Sequence, residues 1–202
     1  MENKQKSVAD FLENLFSNLD NKGLTSLEGS PKNVEVFDVS RNKLKNLIGG
    51  PKKVRRYFAH SNQLESLKGS PEEVDYFNVS CNNLKNLLGG PKIVKVYYVV
   101  SFNQLESLEG APEEVSCFDV SYNPTLKNTD GIPKRIGKLY VDGTIHSVSQ
   151  FTEYPKHVGE IIFDNKISIE DIKLIVSNIE KVDFIHIGDK KYTKHEILKT
   201  NK

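Results

Sequence analysis

The residues in this chain best suited to chemistry are five histidines and two cysteines: His60, His146, His157, His186, His195, Cys81 and Cys117. Their spacing argues against most of it. Zinc ligands come in close pairs, H-x-x-x-H on one helical face or C-x-x-C at one turn, because two donors must reach one ion. No pair here has that spacing, and His195-Glu196 lacks a second histidine at the required distance. Gly49-Gly50 and Gly89-Gly90 lack the Lys-Ser/Thr that would follow in a phosphate-binding loop. No catalytic residue, metal or cofactor is expected. What remains is one basic run, Lys52-Lys53-Val54-Arg55-Arg56, and a set of aromatic side chains spread along the chain.

Whatever the chain repeats must position these side chains. Val74 to Leu84 reads V-x-x-F-x-V-S-x-N-x-L. The same frame starts at Val34, Val54 and Val115, and at Val94 with one extra residue among Lys95, Val96 and Tyr97. Weaker copies start at Ile136, Val158 and Val182, so successive spacings are 20, 20, 20, 21, 21, 22 and 24 residues. The frame repeats apolar residues at Val34, Phe37 and Val39, which with their equivalents point inward, Phe37 and Val39 by strand alternation, and Leu44 and Leu47 close the coil. Asn42, Asn62, Asn82, Asn103 and Asn123 take the turn after each strand. An inward asparagine donates to and accepts from backbone groups that a bend leaves unpaired. Five in register predict a structural ladder with no catalytic part. Pro31, Pro51, Pro71, Pro91, Pro112, Pro133 and Pro155 cannot continue a sheet and set the turn into each strand. A repeat of about 20 residues is too short for a helix on its return side, which predicts extended or 3-10-like segments at Leu44–Leu47 and Leu64–Leu67. Lys45, Glu65, Lys85, Glu106 and Lys127 alternate in charge from coil to coil and should pair at a stacking distance of about 5 Å.

The 202 residues are 37% hydrophobic and 27% charged, enough for a thin core stacked coil on coil. A net charge of +1, from 28 basic and 27 acidic residues, does not suggest a polyanion binder as a whole. No run approaches the ~18 apolar residues of a membrane span, and the N-terminus lacks the apolar core of a Sec signal. Cys81 and Cys117 sit two coils apart, about 10 Å, too far for a disulfide. His60 lies one coil from Cys81, the base a nucleophile reading would need.

Val8, Phe11, Leu12, Leu15, Phe16 and Leu19 fall at helical spacing after Ser7. A solenoid's open end needs cover, so 1–23 is expected to be a helical N-terminal cap. Residues 24–152 are the repeats, and 153–202 degenerate repeats closing as strand–helix–strand. All form one continuous domain. Thr144 and Lys166 replace the asparagine in the later copies. Ser168 and Asp171 form a capping-box-like pair before Ile172, Ile175, Val176 and Ile179, and Thr193 to Lys202 adds a short helix.

The frame resembles the leucine-rich repeat L-x-x-L-x-L-x-x-N-x-L. Pro71-x-x-Val74-x-x-Phe77-x-Val79-x-x-Asn82-x-Leu84-x-x-Leu87 is similar to the repeats of bacterial type III effectors, over Leu24 to about Leu126. Leu64-Glu65-Ser66-Leu67-Lys68-Gly69-Ser70-Pro71 resembles the repeats of uncharacterised leucine-rich repeat proteins of large bacteriophages. The resemblance implies an α/β leucine-rich repeat solenoid with one parallel, concave sheet. It implies a non-enzymatic module that binds a protein partner: if phage-encoded, an inhibitor of a host defence or CRISPR component, in the host cytoplasm. The ubiquitin-ligase activity that several effectors carry in a separate domain is not carried over by this resemblance. A virion component, an injected effector and a nucleic-acid binder stand as alternatives.

By register the outward residues include Arg55, Arg56, Phe58, His60, Tyr76, Tyr97, Val99, Phe102, Tyr122 and Tyr140. Aromatic residues and arginine are enriched in interface hot spots. They predict docking on the concave face, centred on Arg56, Phe58, Tyr76, Tyr97 and Tyr122, by a protein with an acidic patch. Asp38, Asp75, Asp119 and Glu72-Glu73 interrupt the basic stripe a nucleic acid would need. Oligomeric state is left open.

Overall fold

A computed structural model describes residues 18–200. The helix expected from Ser7 lies outside them except at its end. There Asn18 bridges Asp38 in parallel, and Leu19 N–H donates to Asp38 O at 2.7 Å. The helical spacing therefore does not carry through to Leu19.

The chain is a mostly-strand solenoid. Its strands are β1 (Asn33–Asp38), β2 (Lys53–Phe58), β3 (Glu73–Asn78), β4 (Ile93–Val99), β5 (Glu114–Asp119), β6 (Arg135–Tyr140), β7 (His157–Phe163), β8 (Lys181–Ile187) and β9 (Lys190–Tyr192). They form one sheet in chain order. β1 to β8 are parallel, and β9 turns back antiparallel on β8, a departure from the all-parallel expectation. β9 is short and begins with two lysines, which blunts that edge against further pairing. Residues 39–134 between strands hold only bends and turns, with no 3-10 segment at the return leucines. The helices come late: a 3-10 turn at Val148–Gln150, α1 (Ile169–Asn178) and α2 (Lys194–Lys199). Ser168 does accept from Asp171 N–H. Asp171 does not reciprocate to the Ser168 backbone; its Oδ1 accepts Val148 N–H at 2.9 Å, tying α1 to the preceding coil.

β1 to β3 and β5 to β8 bury their second and fifth residues, and β4, with its extra residue, buries its second and sixth. The second of these inward positions stacks Phe37, Tyr57, Phe77, Tyr98 and Phe118 into a fully buried spine with ring centroids 5.2 to 5.7 Å apart. One regularity in this spine follows from volume. Where the ring is tyrosine, the residue before the repeat's proline is Gly50 or Gly90; where it is phenylalanine, that residue is Ser30, Ser70 or Ala111. A Cβ at Gly50 would lie 2.6 Å from the Tyr57 hydroxyl, and one at Gly90 would lie 3.1 Å from that of Tyr98. The phenol oxygen thus occupies the space a Cβ takes in the other coils.

The asparagine ladder forms as the sequence predicts. Asn82 Nδ2 donates to Ala59 O, Val79 O and Ser80 O at 3.0–3.1 Å, and its Oδ1 accepts Leu64 N–H at 2.9 Å. Asn42, Asn62, Asn103 and Asn123 repeat the pattern. Thr144 continues half of it, donating to Val120 O at 2.7 Å and accepting Asn123 N–H at 3.0 Å.

The return-side charges pair as well. Lys45 lies 3.5 Å from Glu65, and Glu106 meets both Lys85, at 3.6 Å, and Lys127. The lysines and Glu65 are exposed and Glu106 is partly so, and pairs open to water are screened by salt. Glu106→Gln should therefore lower Tm slightly, with the difference gone at about 1 M salt. A loss that persists there would mean Glu106 holds the fold by something other than charge.

Candidate functional site

The sheet's outer face is built from the fourth and sixth strand positions and the turn beyond. The fourth positions run Val36, Arg56, Tyr76, Tyr97, Cys117, Lys138, Glu160 and Phe184 from β1 to β8. The sixth run Asp38, Phe58, Asn78, Val99, Asp119, Tyr140, Ile162 and His186. The extra residue of β4 falls at Lys95–Val96, where the register steps from Val74↔Val94 to Tyr76↔Tyr97. That step keeps Tyr97 beside Tyr76, their rings stacked at 5.5 Å and 19°.

A third column lies in the turn after each strand. Arg41, Ser61, Cys81, Phe102 and Tyr122 all have φ near 55°, in the left-handed region. This conformation lets the next residue, the ladder asparagine, point inward. It costs a non-glycine residue roughly 1–2 kcal/mol, and bulky residues rarely hold it. Yet Phe102 and Tyr122 do, stacked at 4.4 Å and 12°, with about half of each residue's surface exposed (53% and 50%). Gly143 continues the column, and a Cβ there would lie 3.0 Å from the Tyr122 ring.

The structure brings the predicted residues together less as one strip than as three columns. Arg56, Tyr76 and Tyr97 adjoin in the first, Phe58, Val99 and Tyr140 occupy the second, and Phe102 and Tyr122 the third. Phe58 and Tyr76 are half-buried, whereas Tyr97, Phe102 and Tyr122 are exposed, which moves the centre of exposed aromatic surface to β4 and β5. Lys138 lies over the Tyr140 ring at 5.2 Å. His60 is half-buried, with Nδ1 3.2 Å from Ser61 Oγ.

Of the basic run only Arg55 forms an ion pair among the described residues. Arg55 pairs with Glu35 and lies 3.8 Å from Asp75, so it belongs to a line of alternating charges that Lys95 extends. Lys52 donates to Gly69 O at 2.9 Å. Arg56 forms no ion pair among the described residues, and its Nε is buried without a partner. Spacing could not reveal this, because the partners are one coil away.

Cys117 faces outward by register but is buried between Tyr97 and Lys138, and burial pushes its thiol up to about 11. It holds little thiolate at neutral pH. Cys81 is exposed. Native protein at pH 8 should therefore lose one thiol to iodoacetamide, at Cys81, with Cys117 reacting only after unfolding; fast double labelling would contradict this burial. No group of three or more His, Cys, Asp or Glu among the described residues is placed to hold a metal ion. No helix among the described residues is long and apolar enough to cross a membrane.

Two clusters were missed by sequence reasoning. Glu160 gathers Lys191 at 2.9 Å and Lys138 at 3.3 Å, which hold its carboxyl below the usual range, with His186 Nε2 at 3.5 Å. Lys191 also caps the Phe184 ring at 3.7 Å. Asp142 and Asp164 stand at the turn position that Ser40, Ser80, Ser101 and Ser121 fill in the regular coils. That Ser-to-Asp change in two consecutive repeats was the available signal. Compared with known proteins, the chain matches no family model and no curated sequence.

Proposed function

We propose that this chain is a leucine-rich repeat binding module that engages one protein partner through the outer face of its sheet, without catalysis. The observation that carries the reading is the pair Phe102 and Tyr122. Two large aromatic rings stand in solvent, stacked on each other, at backbone positions where a serine suffices in the second coil. Strain kept at an exposed site is a signature of function. With Tyr97 (45% exposed) and Tyr76 beside them, they make the kind of rigid, amphipathic patch that supplies interface anchors. Arg56, half-buried and unpaired, can take a partner carboxylate through its fork. The β8–β9 hairpin and α2 are read as closing the C-terminal end, leaving the middle of the face to bind.

The test replaces Tyr97, on β4, and the turn residues Phe102 and Tyr122 by serine, which Ser61 shows that the turn accepts. Wild-type protein should capture a partner from the lysate of its native cells. The triple variant should bind that partner at least ~100-fold more weakly, since hot-spot truncations cost about 2 kcal/mol or more each, while its melting curve stays within a few degrees. Equal capture by a normally folded variant would move the site off this face.

A further inference from the structure

The rings of this face are most exposed where its unpaired charge is negative. Asp119, Asp142 and Asp164 stand around Tyr122. Tyr122 N–H donates to Asp142 O at 2.7 Å, and Gly143, beneath the ring, donates its N–H to Asp164 Oδ2 at 3.0 Å. Among the described residues none of the three carboxylates has an ion-pair partner. Asp119 accepts only Ser121 N–H, and Asp164 only the backbone of Gly143 and Lys166. Asp142 Oδ1 is closed off from solvent with no partner. Burial, then Asp164 and Asp119, raise the Asp142 carboxyl above its ordinary range. Like charges held together without a counter-ion disfavour one another, and an arriving cation relieves that.

We propose that this end of the face, over β5 to β7, receives an arginine- or lysine-bearing protein segment, whose cation stacks on the Phe102–Tyr122 pair and pairs with Asp142 and its two neighbours. The proposal rests on the docking face above and adds its polarity, the reverse of the acidic partner that the basic run suggests. Arginine fits better than lysine, because a planar guanidinium can lie on an aromatic ring and still present its fork to a carboxylate. The chain's own cations do not fill the place. Arg55 is committed to Glu35, and Lys138 and Lys191 to Glu160. Arg56 lies on β2, four strand spacings or roughly 19 Å from β6, well beyond a screening length of about 8 Å.

The probes are fluorescein-labelled hexa-arginine, hexa-lysine and hexa-glutamate, each acetylated and amidated, titrated with the full chain by anisotropy. Hexa-arginine should bind several-fold tighter than hexa-lysine, hexa-glutamate should not bind, and the hexa-arginine affinity should fall as salt rises. Asp142→Ser/Asp164→Ser, which installs the residue of the regular coils, should weaken hexa-arginine at least fivefold. Phe102→Ser/Tyr122→Ser should do the same. Glu72→Gln/Glu113→Gln, ahead of β3 and β5, should leave it unchanged. Hexa-arginine binding that ignores either of the first two variants, or falls equally with the third, would overturn the proposal. Hexa-glutamate binding that is lost with the two rings would overturn the polarity while leaving the docking face standing.

Discussion

Asn82→Ala is expected to cost about 2–5 kcal/mol although the residue touches no partner. Its side chain is buried and closes four hydrogen bonds, to Ala59 O, Val79 O and Ser80 O and from Leu64 N–H. Two of these cross to the preceding coil, so the loss loosens the interface between coils on which a solenoid's stability depends. Each buried backbone group left unpaired costs about 1–3 kcal/mol, and not all the carbonyls lose their last partner, which sets the range. In a domain of this size that is a Tm loss of roughly 5–15 °C. The chain supplies its own control. Thr144 stands in the ladder's next position and satisfies one carbonyl and one N–H, so Asn82→Thr should recover part of the loss. Asn83→Ala, next door and exposed, should change little. Urea melts of the three variants decide it. If Asn82→Ala melts like wild type, the ladder is decoration on a coil held by its leucines alone.

Gly50→Ala should destabilise by about 1–3 kcal/mol, the usual range for overpacking a core, and Tyr57→Phe should abolish that penalty. The added methyl would lie 2.6 Å from the Tyr57 hydroxyl and 3.1 Å from Leu47 O. The Tyr57 ring is fully buried between Phe37 and Phe77 and cannot withdraw. Gly50 does not have positive φ, so alanine suits its backbone and by itself gains about 0.4–1 kcal/mol through the unfolded chain. With the hydroxyl gone, that gain should show. Tyr57→Phe/Gly50→Ala reproduces the third coil's pairing of a Cβ-bearing residue, Ser70, with Phe77. A four-variant cycle should give a coupling of at least about 1.5 kcal/mol. Equal cost of Gly50→Ala in both backgrounds would break the link between ring and turn. The same burial raises the Tyr57 and Tyr98 phenols far above their ordinary value, because the hydroxyls find no partner to hold a phenolate. Folding thus needs both protonated: their contribution is complete below an unfolded pKa of about 10 and is lost as pH rises past it. Tyr57→Phe/Tyr98→Phe should blunt the alkaline fall in stability.

What the sequence determined by itself was the inward pattern of each coil. Phe37 and Val39 sit inside because strand side chains alternate, Val34 because the frame repeats an apolar residue three places ahead of each ring, Asn42 turns inward because a bend leaves backbone groups to satisfy, and Pro51 lies two residues ahead of β2 because it cannot enter the sheet. The period then carried these statements from coil to coil, including the extra residue at Lys95–Val96. What only the tertiary structure decided was which side chains meet across coils. Arg55 looks like a free cation in the chain and is paired with a residue twenty positions earlier, Glu35. Cys117 is outward by register and yet covered by its neighbours. Phe102 and Tyr122 gain a common stack only because two left-handed turns superimpose. Charge balance on a stacked surface depends on contacts between residues about one repeat apart. A coil's own pattern of buried and exposed residues does not name those partners. The pattern therefore specified the fold, and the superposition of coils specified the polarity of the face it presents.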